Sequence, residues 1–178
     1  MDSNSRMAHD GAHHNFVALG IKVLVVSDSR TLETDLSGQY IEQCCCQAGH
    51  NFLERLVVAD EAQQISAKVQ EWSATAEVKV VIVTGGTGVT QRDVTPEALE
   101  PLFHKTLAGF GELFRMLSYA DIGAACIQSR ATAGLIGDCL VFVIPGSSGA
   151  CRLAMERIIL PQLDSRTKPC SFAGLLSG

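Results

Sequence analysis

The chain has 178 residues, a length that suits one domain, and 47% of them are apolar, enough to build a sizeable core. Lys and Arg number 14 against 19 Asp and Glu, a net charge of −5 that speaks against binding nucleic acid or an anionic membrane through overall charge. No apolar run approaches the roughly 18–20 residues of a membrane span. The polar segment 1–15 lacks a hydrophobic signal core, so a cytoplasmic location is expected, with no nucleic-acid or membrane partner.

That segment carries His9, His13 and His14 and is expected to be a flexible tail ahead of a single domain over 16–178. Ile21–Ser27 is short and β-branched, the pattern of a buried strand. Leu36, Tyr40, Ile41, Cys44, Cys45 and Ala48 recur at helical spacing, and Gly49 supplies a stop. Cys44, Cys45 and Cys46 lie on that helix about 100° apart, so they cannot converge on one metal. Cys126, Cys139, Cys151 and Cys170 stand alone among apolar or small residues and are expected as buried thiols. Phe52–Val58 predicts a second strand, Ala62 to Trp72 a second helix and Val78–Thr84 a third strand.

Gly85-Gly86-Thr87-Gly88 then breaks the chain, and Thr95-Pro96 predicts a helix with threonine as its cap. A further apolar stripe runs from Phe110 to Leu117, and Leu140–Ile144 is a fourth strand. Pro145 to Gly149 makes a second break, and a last helix from Cys151 to Ile159 is expected to end at Pro161. About 164–178 forms a short C-terminal extension. Alternating strands and helices predict a three-layer α/β/α architecture with a mainly parallel sheet.

Open parallel sheets bind ligands at the carboxyl ends of their strands. Ser27-Asp28, Thr84 to Gly88 and Pro145-Gly146-Ser147-Ser148 follow three of the predicted strands. Glycines let backbone N–H groups approach an anion, and Thr84 and Thr87 add hydroxyls. The loop is neither a Walker A motif nor G-x-G-x-x-G. Arg92 is suited to a phosphate and Asp93 to Mg²⁺, so the segment fits a phosphorylated ligand with its magnesium ion. Arg115, Ser129 and Arg130 are further candidate anion contacts. Asp60 follows the second strand, where a plain helix cap would also account for it. Glu97 and Glu112 fall in predicted first turns, where a helix dipole already favours a carboxylate.

Thr84-Gly85-Gly86-Thr87-Gly88 with Arg92-Asp93-Val94-Thr95-Pro96-Glu97-Ala98 resembles the signature of the MoaB/MogA molybdopterin-binding family. Gly109 to Arg115, Ser129-Arg130-Ala131 and Pro145-Gly146-Ser147 are similar to its further blocks, over about Lys22 to Leu163. The segment from Leu117 to Gly123, the run Pro145–Arg152 and the stretch from Pro161 to Cys170 resemble its MoaB branch.

The resemblance implies binding of molybdopterin and transfer of AMP from Mg-ATP to its terminal phosphate, with pyrophosphate leaving. A non-catalytic molybdopterin carrier or scaffold is the alternative. It further implies that Asp60 and Asp93 are the catalytic carboxylates and position Mg²⁺. Gly85–Gly88 would cradle phosphate, with Ser27, Asp28 and Pro145–Ser148 near the pterin or the nucleotide; Arg92, Glu112, Arg115, Ser129 and Arg130 complete the implied site. A homo-trimer or hexamer, and contacts with other molybdenum cofactor biosynthesis proteins, are also implied. One departure concerns the rim, where adenylyltransferase members commonly have Pro-Gly-x-Pro-x-Ser and this chain has Pro145-Gly146-Ser147-Ser148-Gly149.

Overall fold

The computed structural model describes residues 15–176, so the N-terminal histidines lie outside the described residues. Its strands are β1 (Gly20–Val26), β2 (Asn51–Val58), β3 (Val80–Thr84), β4 (Lys105–Thr106), β5 (Thr132–Ile136) and β6 (Cys139–Ile144). They form one six-stranded sheet in the order β2-β1-β3-β6-β5-β4. The first four in that order run parallel, β5 is antiparallel to β6, and β4 is antiparallel to β5. The helices are α1 (Leu36–Gln47), α2 (Ala62–Ser73), α3 (Thr95–Leu99), α4 (Ala108–Ile122), α5 (Ser148–Ala154), α6 (Leu160–Leu163) and α7 (Ala173–Leu176).

Strand alternation divides the core between the two faces of the sheet. Ile21, Val23, Val25, Val80, Ile82, Leu140 and Phe142 pack with α1, α4 and α5. Their neighbours Leu24, Val26, Val81, Val83, Val141 and Val143 pack with α2 and α3. The result is the three-layer α/β/α arrangement. Burying each such Val, Ile or Phe contributes about 1.5–3 kcal/mol relative to leaving it exposed.

Asp35 fixes the start of α1. Its Oδ1 accepts from the Gly38 N–H at 2.9 Å, and its Oδ2 accepts from Arg55 Nη1 on β2 at 2.8 Å. Arg55 also meets Glu42 at 3.1 Å, while Glu54 accepts from Lys22 Nζ at 2.7 Å. At the opposite margin, β4 has only two residues, both exposed.

Five expectations need correction. Thr132–Ile136 adds a strand that the four predicted strands do not include, because its Ala and Gly content hides the β pattern. It turns through Gly137 and Asp138 to pair with β6. The last helix does not stop at Pro161. A π-helical turn over Met155–Ile159 lets the Leu160 N–H bond Met155 O, and α6 then begins where proline's missing N–H is harmless. Val94, not Thr95, holds the cap position of α3. Glu112 lies beyond the first turn of α4. Cys170 is exposed, whereas Cys126, Cys139 and Cys151 are buried.

The described part of the C-terminal segment packs down. Phe172 N–H bonds Gln162 O at 2.9 Å, and Ala173 and Leu176 enter the core. Ser165 Oγ donates to Asn15 O at 2.8 Å and accepts from Val17 N–H at 3.0 Å. His50 behaves as a structural residue: it is buried, and its Nδ1 accepts from Leu19 N–H at 3.3 Å.

Candidate functional site

The parallel strands deliver their carboxyl ends to one edge of the sheet. The chain turns outward from β1 to β2 and returns through β3 on the other side of β1, so the switch point lies between β1 and β3. Gly85 sits there with φ at 107°, its N–H bonded to Ile144 O at 3.0 Å. A Cβ at Gly85 would collide with Val26 O. Gly86 follows with φ at 61°, and its Cβ would meet Thr95 Oγ1 and come within 2.9 Å of Asp60 Oδ1. The loop therefore runs closely between neighbouring elements, which only glycine permits.

A cleft of about 470 Å³ opens over this loop. Gly85–Gly88, Asp93 and Ser129 form its polar side with Pro145, Gly146 and Ser147, and Phe114, Ile122 and Leu153 give it an apolar wall. A smaller cleft of about 230 Å³ holds Ser27, Thr84 and Ser148 and meets the first at Gly146 and Ser147. Ser37 Oγ donates to Gly146 O at 2.9 Å, and Thr84 Oγ1 donates to Pro145 O at 3.2 Å. Ser147 Oγ accepts from Ala150 N–H at 3.3 Å and caps α5. The partition between the clefts is thus pinned from three elements.

The two aspartates differ. Asp93 Oδ2 accepts from Thr90 Oγ1 at 2.6 Å and from Thr90 N–H at 3.0 Å. These bonds, led by the hydroxyl, hold its pKa below the usual carboxylate range. Asp60 is raised instead, first by desolvation, against which the Val94 N–H works, with the charges of Asp93 and Asp28 adding to the rise. Its Oδ1 is buried and has no protein partner. It is not the cap of α2, because Glu61 occupies that position and makes no side-chain cap bond.

The arginines are mostly committed. Arg130 Nε donates to Gly88 O at 2.8 Å, its Nη2 donates to Asp93 O at 2.7 Å, and its Nη1 pairs with Glu97. It clamps the backbone of the glycine-rich segment. Arg115 Nη1 donates to Ala131 O at 3.2 Å and Ser129 O at 3.3 Å. Arg115, Arg130 and Glu112 line a different cleft of about 410 Å³. Arg92 is exposed and pairs with Asp28, whose Oδ1 accepts the Asp60 N–H at 3.1 Å. That pairing lowers the Asp28 pKa.

Among the predicted residues, Gly85–Gly88, Asp93, Ser129 and Pro145–Ser147 therefore share the main cleft. Ser27, Thr84 and Ser148 lie next door, and Glu112, Arg115 and Arg130 face another opening. The apolar stripe of α4 could have found Phe114. No spacing signal points to Asp121 or Gln128, which also line the cleft. Among the described residues, no three His, Cys, Asp or Glu side chains group as a metal site. Mg²⁺ commonly takes one or two carboxylates and draws the rest from water and phosphate; Asp93 lines the main cleft, whereas Asp60 lies beside Gly86 and does not line it.

Residues 22–165 match the model of a family described as "Probable molybdopterin binding domain". The chain belongs to this family, on its MoaB branch. It is 48% identical over 157 residues to Molybdenum cofactor biosynthesis protein B of Escherichia coli K12, covering 88% of this chain and 92% of that protein. A solved structure of a Molybdenum cofactor biosynthesis protein B superposes with a TM-score of 0.80 at 46% identity, over 83% of this chain and 92% of the other. The tungsten cofactor synthesizing protein MoaB of Pyrococcus furiosus gives 0.71 at 35% identity, over 79% and 90%. No helix among the described residues is long and apolar enough to cross a membrane.

Proposed function

We propose that the protein binds molybdopterin and ATP in the clefts beside Gly85–Gly88 and joins AMP to the terminal phosphate of molybdopterin. Its family and relatives support a role in molybdenum cofactor biosynthesis. The observation that carries the finer reading is the juxtaposition of a close-packed glycine-rich loop with two dissimilar carboxylates, Asp60 and Asp93. In the reaction, an oxygen of the molybdopterin phosphate attacks the α-phosphorus of ATP. The bond from that phosphorus to the bridging oxygen breaks, and pyrophosphate leaves with the electron pair.

Asp60 and Asp93 would hold Mg²⁺, which when bound neutralises phosphate charge. Gly85–Gly88 present backbone to the phosphates, and the Arg130 clamp keeps that backbone in place. The apolar wall of Phe114, Ile122 and Leu153 excludes water from one side. The protein supplies positioning and electrostatics and forms no covalent bond. Exposed Met116, Tyr119 and Ile122 on α4 support association of copies into a trimer or hexamer.

A molybdopterin carrier without turnover is the second reading. The Pro145-Gly146-Ser147-Ser148 rim favours it. Incubation with molybdopterin and Mg-ATP, read by mass spectrometry, separates the two. Adenylylated molybdopterin from the native chain, absent with Asp93→Ala, is the expected result. Bound molybdopterin without product overturns the transferase reading and leaves the carrier.

A further inference from the structure

Helix α4 turns one face to the main cleft, carrying Phe114, Ser118, Asp121 and Ile122. Ser118 Oγ donates back to Phe114 O at 2.8 Å, so its proton is spent within the helix. Asp121 is the one charged side chain that α4 brings to the cleft. It is exposed and enters no ion pair among the described residues. It stands in the last turn of a 15-residue helix that has no basic residue there. The negative end of a helix disfavours a carboxylate, so Asp121 opposes the element that carries it. What it offers is two acceptor oxygens to whatever enters the cleft.

Phe114, Ile122 and Leu153 give that cleft an apolar wall, and the glycine-rich loop with Asp93 gives it a polar side. The two substrates of the proposed reaction both carry phosphate and a flat ring, and they differ in the ring's edge. Pterin is a 2-amino-4-oxo ring that sets an amino group beside a ring N–H, two parallel donors that one carboxylate accepts together. Adenine has an acceptor, N1 or N7, on either side of its amino group, and an acceptor repels a carboxylate. We propose that Asp121 is the specificity-determining residue of the main cleft, accepting both donors of the pterin edge and turning adenine away. A site built to hydrogen-bond one edge rejects a ligand that lacks it, because its polar group would be left unpaired. The choice of substrates rests on the function proposed above. Guanine carries the same edge as pterin, and the test sets the two apart.

Binding to the full chain is read from the fluorescence of 6-hydroxymethylpterin, in EDTA so that no cation competes for the carboxylate. AMP and GMP are followed by calorimetry. Asp121→Asn puts a donor where an acceptor is needed. It is expected to weaken the pterin by about 10-fold or more, the scale of a hydrogen bond to a charged group, and Asp121→Glu to weaken it less. AMP should bind both forms alike, and the Tm of Asp121→Asn should hold or rise. No pterin bound by the native chain, equal pterin affinity in Asp121→Asn, or an equal loss of AMP overturns the proposal. So does a lowered Tm, which would give the carboxylate to the fold. Binding of GMP through Asp121 without the pterin assigns the edge to a guanine nucleotide and also overturns it. None of these outcomes depends on adenylylation. Asp121-dependent pterin binding without product leaves this proposal standing and sinks the transferase. Product whose KM for molybdopterin is unmoved by Asp121→Asn does the reverse.

Discussion

Asp60 and Asp93 stand near the same glycine-rich loop and yet occupy opposite electrostatic situations. Asp93 is complete within the protein: Thr90 supplies two donors to one oxygen, and the carboxylate is stabilised as an anion. Asp60 is incomplete: desolvation opposes its charge and one oxygen has no protein partner. The difference teaches which carboxylate belongs to the scaffold as well as to the site. Asp93 shapes the loop before any ligand arrives, whereas Asp60 is held beside Gly86 in a setting that disfavours its charge.

The strongest way to break this contrast is activity. Asp60→Asn and Asp93→Asn are each expected to lower adenylyl transfer by about 100-fold or more, the scale of losing a preorganised charge contact; near-native turnover by either removes that residue from the site. Stability then separates the two. Asp93, with its folded pKa depressed, contributes stability above the unfolded value that is lost as pH falls through the folded one. Asp60, with its folded pKa raised, opposes folding while ionised, and acidification through its folded value relieves this. At neutral pH Asp93→Asn should therefore lower Tm and Asp60→Asn should hold or raise it. A fall of equal size in both, followed by thermal melting from pH 7 downward, would erase the distinction.

Arg130 and Arg92 sharpen it further. Replacing Arg130 by Met removes its bonds to Gly88 O and Asp93 O and its pair with Glu97, and a loss of about 1–2 kcal/mol in urea unfolding is expected with reduced transfer. Arg92→Ala should leave Tm unchanged, because its pair with Asp28 lies in solvent, and should act on ATP affinity alone. A destabilised Arg92→Ala, seen by differential scanning fluorimetry, would place that arginine in the scaffold beside Arg130.

Much of this was legible from the residues. β1, β2, β3 and β6 are dense in Val, Ile and Leu, and their ends match the expected limits to within about two residues, the usual uncertainty of such boundaries. β5 escaped because Ala133 and Gly134 carry no β signal, and only pairing with β6 makes them a strand. The glycine-rich loop and Asp93 were visible in the motif. The difference between the aspartates was not, since it depends on the Thr90 hydroxyl bonded to Asp93 and on the burial of Asp60, both of which arise only once the loop folds back on itself. Arg130 illustrates the same limit: a basic residue beside small ones resembles an anion contact, but its donors are taken by Gly88, Asp93 and Glu97.

The margins of the sheet carry a consequence for how copies meet. One margin is the charge-studded β2, with Glu54 and Arg55 engaged by Lys22, Asp35 and Glu42; the other is the two-residue β4. In β2 the ion-paired Glu54 and Arg55 interrupt the apolar run, and β4 is too short to template a second strand, so both margins resist extension of the ladder. Any association of copies would then fall to the helical faces rather than to strand addition, and contacts of that kind can close on a symmetry axis and stop growing.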